Sequence, residues 1–183
     1  MNDYKRLHHM NSKIIIADSS SLILLTRAGL MGYLLKGFQV MIPQAVFEEC
    51  ANAEALKKFE DAGVIAAWVK GKKIKVKEPA RPLPGVVFKM DRGEKEALAL
   101  CLEFPGSLFL SDDGSAIKAA KHFKIAFTVS PLVALDLYRR RTIDYEAARL
   151  AIEKLSILGR YLPHFIADIL GRLENLRQKN QGG

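Results

Sequence analysis

The sequence predicts an α/β fold, because short apolar runs that suit strands alternate with amphipathic runs that suit helices. The clearest strand is residues 13–17, a β-branched run that leads into Asp18. The clearest helix follows residues 91–94, which form a D-x-x-E capping box ahead of an apolar-periodic stretch. A chain of 183 residues is long enough to bury a substantial core as one domain. We therefore expect a single domain over residues 1–183.

The first half of the chain predicts two strands, each followed by helices. The elements are a strand over 13–17, a helix over 22–28, a helix over about 31–36, a strand over 39–42, a helix from Pro43 and a helix over 53–62. The three serines after Asp18 supply N-cap chemistry for the first helix, and Gly29 can end it. Pro43 suits the first turn of a helix. Gly63 is expected to close the last helix of this half.

Residues 64–90 interrupt this alternation with a lysine-rich segment. Lys70, Lys72, Lys73 and Lys75 alternate with glycine or apolar residues, which predicts an edge strand over 70–77 with charge on one face. Lysines on an edge strand prevent aggregation. A lysine stripe can equally follow a phosphate backbone. Both interpretations stay open at this stage.

The second half of the chain returns to the alternation and ends in helices. The elements are a helix from the capping box to 102 or 103, a strand over 108–111, a helix over 115–123, a strand over 125–129 and a helix over 130–138. Helices over 144–155 and about 162–176 form a C-terminal extension (about 142–177) to a core over about 13–141. The apolar stripe of the last helix is expected to cover the sheet, with a dimer contact as the alternative. Residues 178–183 are expected to be disordered.

Four acidic sites fall where a predicted strand ends or a helix begins. They are Asp18, Glu49, Glu94 and the pair Asp112–Asp113. In an open α/β sheet the ligand crevice lies outside the carboxyl ends of the strands. Carboxylates delivered there would converge, and they repel each other unless a cation neutralises them. The sequence therefore predicts a divalent-metal site whose oxygen ligands favour Mg²⁺ or Mn²⁺ over zinc.

Each of these acids also has a purely structural interpretation. Asp18 and Asp113 suit helix caps, and Glu94 suits the capping box. One acid of the adjacent pair at 48 and 49 belongs to a solvated helix face, and we assign that role to Glu48. The arrangement of all four sites on strand ends, in this order, is less easily explained by capping and favours the metal site.

Two hydroxyl residues lie close to the acids in sequence. Ser20 follows Asp18 by two positions, and Ser111 precedes Asp113 by two positions. They are candidates to support the acids through hydrogen bonds. As N-cap or turn residues they are nearly as well explained.

Composition and charge favour a polyanionic partner. The net charge is +8, and a basic body around an acidic pocket suits nucleic acid, although many lysine-rich chains are basic only for solubility. Cys50 and Cys101 sit inside apolar helical patterns and predict buried thiols rather than a disulfide. No apolar run approaches the about 20 residues of a membrane span. The polar residues 1–11 lack the apolar region of a secretory signal, so we expect a cytoplasmic protein with no membrane segment.

Several other site chemistries are excluded. The histidines at 8, 9, 122 and 164 are too dispersed for a structural zinc site. The sequence contains no glycine-rich nucleotide-binding motif and no G-x-S-x-G nucleophile motif. A phosphatase of the D-x-D type would need an acid where Ser20 stands.

Four stretches together carry a resemblance to a known family. They are IIIADSSSLI with Asp18, IPQAVFEE with Glu49, GEKEALAL with Glu94, and LFLSDD with Asp113. Each is weak alone, but their order and spacing are specific. The chain resembles the PIN-domain family of metal-dependent nucleases, which includes the toxins of many prokaryotic toxin–antitoxin pairs. In its insert over 64–90 and its helical tail, the chain is similar to a branch of this family whose members are often described only as predicted nucleic-acid-binding proteins.

The resemblance implies a three-layer α/β/α fold with a Rossmann-like parallel sheet, and hydrolysis of RNA phosphodiesters with Mg²⁺ or Mn²⁺. It implies Asp18 and Asp113 as the closest metal ligands, with Glu49 and Glu94 binding through water or orienting the nucleophile. Asp112, often acidic in relatives, joins the candidate metal set. A non-catalytic nucleic-acid-binding module and a DNA-directed nuclease of flap or repair type stay as alternatives.

The resemblance also implies protein partners. A small antitoxin protein would neutralise a toxin of this family. A homodimer is expected because many relatives pair through helices near the N-terminus. The candidate contact is an apolar cluster made of Leu30, Met31, Tyr33, Leu34 and Leu35.

Overall fold

A five-stranded parallel sheet forms the centre of the protein in the computed structural model, which describes residues 12–85 and 89–181. The strands are β1 (Ile14–Ala17), β2 (Gln39–Ile42), β3 (Ile74–Val76), β4 (Leu108–Leu110) and β5 (Phe127–Thr128). Their order in the sheet is β3-β2-β1-β4-β5, and every neighbouring pair is parallel. The predicted α/β class is confirmed.

Ten helices surround this sheet within the described residues. They are α1 (Ser19–Arg27), α2 (Met31–Gly37), α3 (Gln44–Ala51), α4 (Ala53–Lys58), α5 (Glu60–Lys70), α6 (Arg92–Glu103), α7 (Gly114–His122), α8 (Ser130–Arg139), α9 (Tyr145–Leu158) and α10 (Pro163–Gln181). Strands and helices alternate through β5, and three helices follow. Since parallel strands need crossover connections, this alternation is what a parallel sheet requires.

Side chains of alternate strand residues supply two cores, one on each face of the sheet. Ile15, Val40 and Leu108 belong to the larger core, together with residues of α1, α2, α5, α8, α9 and α10. Ile16 and Phe109 belong to the smaller core, which α6 and α7 cover. All five strand residues are almost completely buried. The fold therefore has three layers, with helices on both faces of a sheet whose strands are apolar on both sides.

The segment after α3 differs from the predicted single helix over 53–62. Asn52 caps α4 by accepting hydrogen bonds from the amides of Glu54 (3.1 Å) and Ala55 (2.9 Å), and the extended backbone of Phe59 separates α4 from α5. Helix α5 then continues through Gly63, which was expected to end it. Ile65 is fully buried on this helix. Its packing offsets the cost of about 1 kcal/mol for a glycine inside a helix.

The predicted lysine-bearing edge strand is shorter than expected. Strand β3 lies at the edge of the sheet, but it contains only Lys75 of the four lysines. Lys70 is the last residue of α5, and Lys72 has a left-handed backbone (φ 56°) in the turn that follows. The amide of Lys73 donates to the carbonyl of Trp68 (2.9 Å) in the same turn. All four lysines are exposed.

The last helix packs mainly on other helices rather than on the sheet as expected. Phe165, Ile169 and Leu173 are buried against α8 and α9. Leu162, which was assigned to the same apolar stripe, is 57% exposed. Helix α10 extends to Gln181, so the expectation of disorder from residue 178 is wrong up to that point; residues 182–183 lie outside the described residues.

The apolar cluster that was expected to form a dimer contact is mostly part of the core. Leu30, Met31 and Leu34 are almost completely buried within the single chain, so they are not available to a second copy. The two cysteines, Cys50 and Cys101, are buried free thiols, which agrees with the prediction.

Within the described ranges, no helix is long and apolar enough to cross a membrane. The N-terminal residues 1–11, from which the absence of a secretory signal was inferred, lie outside the described residues. The same applies to the histidines at positions 8 and 9 and to residues 86–88 of the lysine-rich segment.

Candidate functional site

The strand order reverses between β1 and β4, and the region outside the carboxyl ends of these two strands is called the crevice below. The chain adds β2 and β3 on one side of β1, and then returns to add β4 and β5 on the other side. Ala17 pairs with Leu110, so Asp18 and Ser111 are the next positions on adjacent strands. The amide of Asp18 donates to the carbonyl of Leu110 (3.1 Å). Ligands bind at such a switch point in open α/β sheets.

Asp18 is the buried residue at the floor of this crevice, with only 1% of its surface exposed. Its Oδ1 atom accepts hydrogen bonds from the amide of Ser21 (2.8 Å), the hydroxyl of Ser21 (2.5 Å) and the hydroxyl of Ser20 (3.1 Å). Among the described residues, its Oδ2 atom is buried without a hydrogen-bond partner. Capping of α1 therefore uses one oxygen, and the other is left for a proton or a cation because an unpaired buried charge is costly.

The environment of Asp18 favours its protonated form. Burial raises the pKa of Asp18 from 3.8 to about 6, and nearby Asp112 adds to this effect. Ser111 and Ser21 act in the opposite direction and lower the pKa. Ser111 lies near enough to favour the charged form, although its hydroxyl does not complete a hydrogen bond to Oδ2. Ser20 thus donates a hydrogen bond to Asp18, and Ser111 lowers its pKa; a role for these two hydroxyls at a metal site stays a prediction.

Glu49 approaches the crevice from α3, which follows the neighbouring strand β2. A Cβ atom added to Gly93 would lie 2.9 Å from Oε1 of Glu49, so the carboxylate sits against the start of α6. Although the Glu49 side chain is exposed overall, partial loss of water around the carboxylate raises its pKa, and Asp91 and Asp18 raise it further. The Ser19 hydroxyl and the Gly93 amide oppose this rise. Adjacent Glu48 is exposed, as assigned from the sequence.

Glu94 serves both the helix cap and the crevice. Its Oε2 atom accepts a hydrogen bond from the amide of Asp91 (3.0 Å), and Oδ1 of Asp91 accepts one from the amide of Glu94 (2.8 Å). This is the predicted capping box. Partial burial raises the pKa of Glu94 to about 7, and the charges of Asp91, Asp113 and Asp18 add to the rise. The two interpretations of this acid are therefore compatible.

Asp113 lies at the N-terminus of α7, immediately beyond β4. Its Oδ1 atom accepts hydrogen bonds from the amides of Ser115 (2.7 Å) and Ala116 (2.9 Å). The amide of Asp113 donates to the hydroxyl of Ser111 (3.1 Å), which fixes the turn. The cap occupies one carboxylate oxygen. The charge of Asp113 also raises the pKa of Glu94, so the two carboxylates are near enough to interact.

Asp112 has different surroundings from its neighbour Asp113. Its Oδ1 atom accepts hydrogen bonds from the amide of Ser130 (2.9 Å) and the hydroxyl of Tyr161 (2.8 Å), and its Oδ2 atom accepts one from the hydroxyl of Ser130. Burial raises the pKa of Asp112, while these donors lower it. Asp112 keeps some exposed surface, but its carboxylate is enclosed by the first turn of α8 and the link between α9 and α10.

The acids are electrostatic neighbours, but they do not form a complete ligand cage. Within the described residues, no three Asp, Glu, His or Cys side chains are grouped closely enough to hold a metal ion by themselves. Asp18 nevertheless raises the pKa of both Glu49 and Glu94. Mg²⁺ keeps several waters and commonly uses one or two protein carboxylates. The unpaired Oδ2 of Asp18 and the oxygen-only surroundings therefore fit a hydrated hard cation.

Comparison with known proteins gives the family. A family model described as a PIN domain (DUF3368) matches residues 14–175, which is most of the chain. The chain belongs to the PIN-domain family. PIN domains are generally nucleases, and PIN-domain nucleases generally use divalent metals. The resemblance inferred from the four acidic stretches is thereby confirmed.

The solved structures that are similar to this PIN domain include an archaeal protein. It is a PilT N-terminus domain protein from the hyperthermophilic archaeon Sulfolobus solfataricus P2, with 17% sequence identity and a TM-score of 0.45. The match covers 68% of this chain and 93% of that chain. No curated protein matches the sequence.

Several residues that shape the site of this PIN domain were not predicted to do so, although Ser19 and Ser21 were expected to help cap α1. They are Ser19, Ser21, Gly93, Ser130 and Tyr161. Gly93 directly precedes Glu94 in one of the four stretches, so its position carried a signal. Tyr161 is 49 residues from Asp112, and no local pattern connects the two.

The four lysines proposed to contact nucleic acid lie apart from the acids. They lie on or near β3, and β2 separates β3 from β1 in the sheet. The fold does not bring Lys70, Lys72, Lys73 and Lys75 to the floor of the crevice. A contact with a phosphate backbone through these lysines would extend along the edge of the sheet.

Proposed function

We propose that this PIN domain is a Mg²⁺- or Mn²⁺-dependent endoribonuclease that hydrolyses phosphodiester bonds in RNA. The observation that carries the proposal is the buried Oδ2 atom of Asp18, which has no hydrogen-bond partner in the described residues. It lies at the switch point of a parallel sheet, next to acids whose pKa values are raised by burial and by each other. A divalent cation bound here would pair with this oxygen and would reduce the repulsion between the neighbouring acids.

The side chains have separate roles in this proposal. Asp18 and Asp113 would hold the cation, because each uses Oδ1 for a helix cap and keeps Oδ2 for the metal. When bound, the cation polarises a phosphate oxygen and supplies a water of lowered pKa. Glu94, whose pKa is about 7, is suited to accept a proton near neutral pH. Glu49, held by Gly93 and Ser19, would orient water at the same crevice.

The overall charge supports a polyanionic substrate. The net charge of +8 coexists with a negative crevice, so the body of the protein attracts phosphates. The exposed Lys70, Lys72, Lys73 and Lys75 provide phosphate contacts outside the crevice. Such contacts hold a backbone without reading its sequence.

The test compares cleavage of single-stranded RNA and of branched DNA by the wild type and by Asp18→Asn, with Mg²⁺, Mn²⁺ or EDTA. We expect metal-dependent RNA cleavage that EDTA abolishes and that Asp18→Asn lowers by about 100-fold or more, as for removal of a key electrostatic group. Asp168→Asn, on the exposed face of α10, is the matched control and should cleave within about twofold of the wild type.

Three results would change the conclusion. A folded Asp18→Asn protein with undiminished, EDTA-resistant cleavage would remove the mechanism. Metal-independent RNA binding without cleavage would support a non-catalytic binding module. Preference for branched DNA would support a flap or repair nuclease.

A toxin role, a small antitoxin partner and a homodimer are further proposals from the family. Expression of the wild type should arrest growth of a bacterial host, and expression of Asp18→Asn should not. Light scattering of the purified protein tests the homodimer directly. Equal growth with both proteins would contradict the toxin role.

A further inference from the structure

We propose that Tyr161 is a positioning residue of the acidic site, and that Asp112 anchors it rather than binding the metal. The activity part of this proposal rests on the proposed nuclease function. The structural part concerns the turn formed by residues 111–113 and can be tested without substrate or metal.

The hydrogen bonds of Asp112 contrast with those of Asp18. The Asp112 carboxylate accepts three hydrogen bonds, from the amide and hydroxyl of Ser130 and from the hydroxyl of Tyr161. Both of its oxygens are therefore used within the protein. Oδ2 of Asp18 has no such partner in the described residues. A cation that enters the crevice gains most from Asp18, because binding Asp112 would require its donors to be displaced.

Tyr161 reaches this position because the link between α9 and α10 folds back. A Cβ atom at Gly159 would overlap the ring of Tyr161, so glycine is needed for this approach. The ring of Tyr161 also packs near that of Phe165, with 6.1 Å between the ring centroids. Both helices of the C-terminal extension thus hold the ring, and its hydroxyl is directed to Asp112.

The hydrogen bond from Tyr161 holds Asp112, which lies between Ser111 and Asp113 in the turn after β4. Ser111 precedes Asp112 and accepts the amide hydrogen bond of Asp113 (3.1 Å), and Asp113 caps α7. Ser130 is at the start of α8, so Asp112 joins the end of β4 to α8 and to the C-terminal extension. Loss of the Tyr161 hydroxyl would loosen this turn and displace Asp113. Small displacements of such groups are costly to catalysis.

The decisive comparison is between two substitutions of Asp112. Asn keeps one oxygen to accept from the Ser130 amide and the Tyr161 hydroxyl, and its NH2 group can donate to the Ser130 hydroxyl, which then accepts instead of donating. Ala removes the network. We expect Asp112→Asn to keep kcat within about threefold of the wild type, while Asp112→Ala and Tyr161→Phe lower it about 10- to 100-fold, the range for residues behind a metal site. A metal ligand would instead lose activity equally as Asn and as Ala.

Tyr145→Phe is the matched control for Tyr161→Phe. The hydroxyl of Tyr145 also donates to a carboxylate, Glu174 (2.8 Å), and joins α9 to α10. It packs against Tyr138 near the C-terminal end of α8, whereas Ser130 starts that helix. We expect Tyr145→Phe to leave kcat within about twofold of the wild type.

Amide hydrogen exchange provides a readout that is independent of activity. We expect faster exchange of the amides of 113–116 in Tyr161→Phe and in Asp112→Ala, and wild-type exchange in Asp112→Asn and Tyr145→Phe. Ser130→Ala removes one of the same hydrogen bonds and should reproduce the effect if a Tyr161 variant does not fold. If the wild type cleaves nothing, the nuclease function fails, while exchange still tests the anchor. If amide exchange is unchanged in both Tyr161→Phe and Asp112→Ala, the proposal that Tyr161 and Asp112 hold the turn at 111–113 is wrong.

Discussion

A Cβ atom at Gly93 would lie 2.9 Å from Oε1 and 3.0 Å from Oε2 of Glu49. The absence of a side chain at Gly93 therefore lets the carboxylate approach the free amides at the N-terminus of α6. The amide of Gly93 lowers the pKa of Glu49 and opposes the effect of burial. The contact places Glu49 of α3 against the start of α6, the helix that carries Glu94, and the charge of Asp18 raises the pKa of both acids.

Gly93→Ala should lower activity without unfolding the protein. The added methyl would displace the Glu49 carboxylate and also meet Cγ2 of Val46 at 3.0 Å. Alanine gains about 1 kcal/mol of helix propensity over glycine, which offsets part of this strain. We expect about a 10-fold loss of metal-dependent cleavage, with a free energy of unfolding within about 1 kcal/mol of the wild type.

Gly63→Ala is the control for this substitution. Gly63 also lies inside a helix, and a Cβ atom there would meet no described atom within 4 Å. It should gain stability and keep full activity. If Gly93→Ala and Gly63→Ala cleave equally well, the approach of Glu49 to α6 has no role in the site.

The stability of the metal-free protein should fall as pH rises from about 4 to about 6. Folded Asp18 keeps its proton up to a pKa of about 6, whereas unfolded Asp18 loses it near 3.8. Between these values the folded state binds more protons, so its advantage is complete below pH 4 and is lost as pH rises through 6. The difference of about two pKa units corresponds to roughly 3 kcal/mol.

Asp18→Asn should remove the contribution of Asp18 to this pH dependence, while the raised pKa of Glu94 leaves its own contribution in both proteins. The amide keeps an acceptor for Ser21 and carries no charge. In EDTA, urea unfolding of the wild type and the variant at pH 4 to 8 should therefore show the variant relatively more stable at the upper end. A constant difference between the two proteins across this range would contradict the raised pKa of Asp18.

The strands of this fold could be predicted from sequence because they are short and buried on both sides. Residues such as Ile15 and Ile16 pack on opposite faces, so an uninterrupted apolar run marks the strand. The path of α5 through Gly63 could not be predicted in the same way. Local propensity favours a stop at glycine, whereas the burial of Ala62 and Ile65 on either side of it favours the longer helix.

The positions of the acids were also predictable, but their surroundings were not. Asp18 and Asp113 were predicted as site residues because they follow strands, and the carboxyl ends of parallel strands lie at one edge of the sheet. The sequence could not distinguish the roles of the adjacent Asp112 and Asp113, because neighbouring side chains at a strand end point to different partners. That distinction depends on Tyr161, which only the folded C-terminal extension brings close.

Divalent metal should stabilise the wild type and leave Asp18→Asn unaffected. A ligand that binds only the folded state at 100 times its Kd adds about 2.7 kcal/mol. The effect should grow as pH rises through 6 to 7, because protons must leave Asp18 (pKa about 6) and Glu94 (pKa about 7) before a cation binds. Thermal unfolding with Mg²⁺ or Mn²⁺ at pH 5.5 and 8, with Asp168→Asn as control, measures this. Equal metal-induced shifts in Asp18→Asn would place the cation elsewhere.

The lysines near β3 should contribute to RNA binding through charge alone. Lys72, Lys73 and Lys75 are exposed on the edge strand and on the turn before it. If each neutralises one phosphate, their joint replacement by Gln reduces the slope of log K against log salt by about 2, since each phosphate of a single strand contributes about 0.7. Affinity should fall similarly for RNAs of different sequence.

A second triple variant gives the control for this charge effect. Replacement of Lys57, Lys154 and Lys179 by Gln removes the same net charge from exposed positions on α4, α9 and α10. Fluorescence titrations of both variants at several salt concentrations separate local contacts from net charge. If the two triples lose affinity and salt slope equally, the lysines near β3 make no special contact. If in that case only the variant at Lys72, Lys73 and Lys75 aggregates, these lysines protect the exposed edge of the sheet from aggregation.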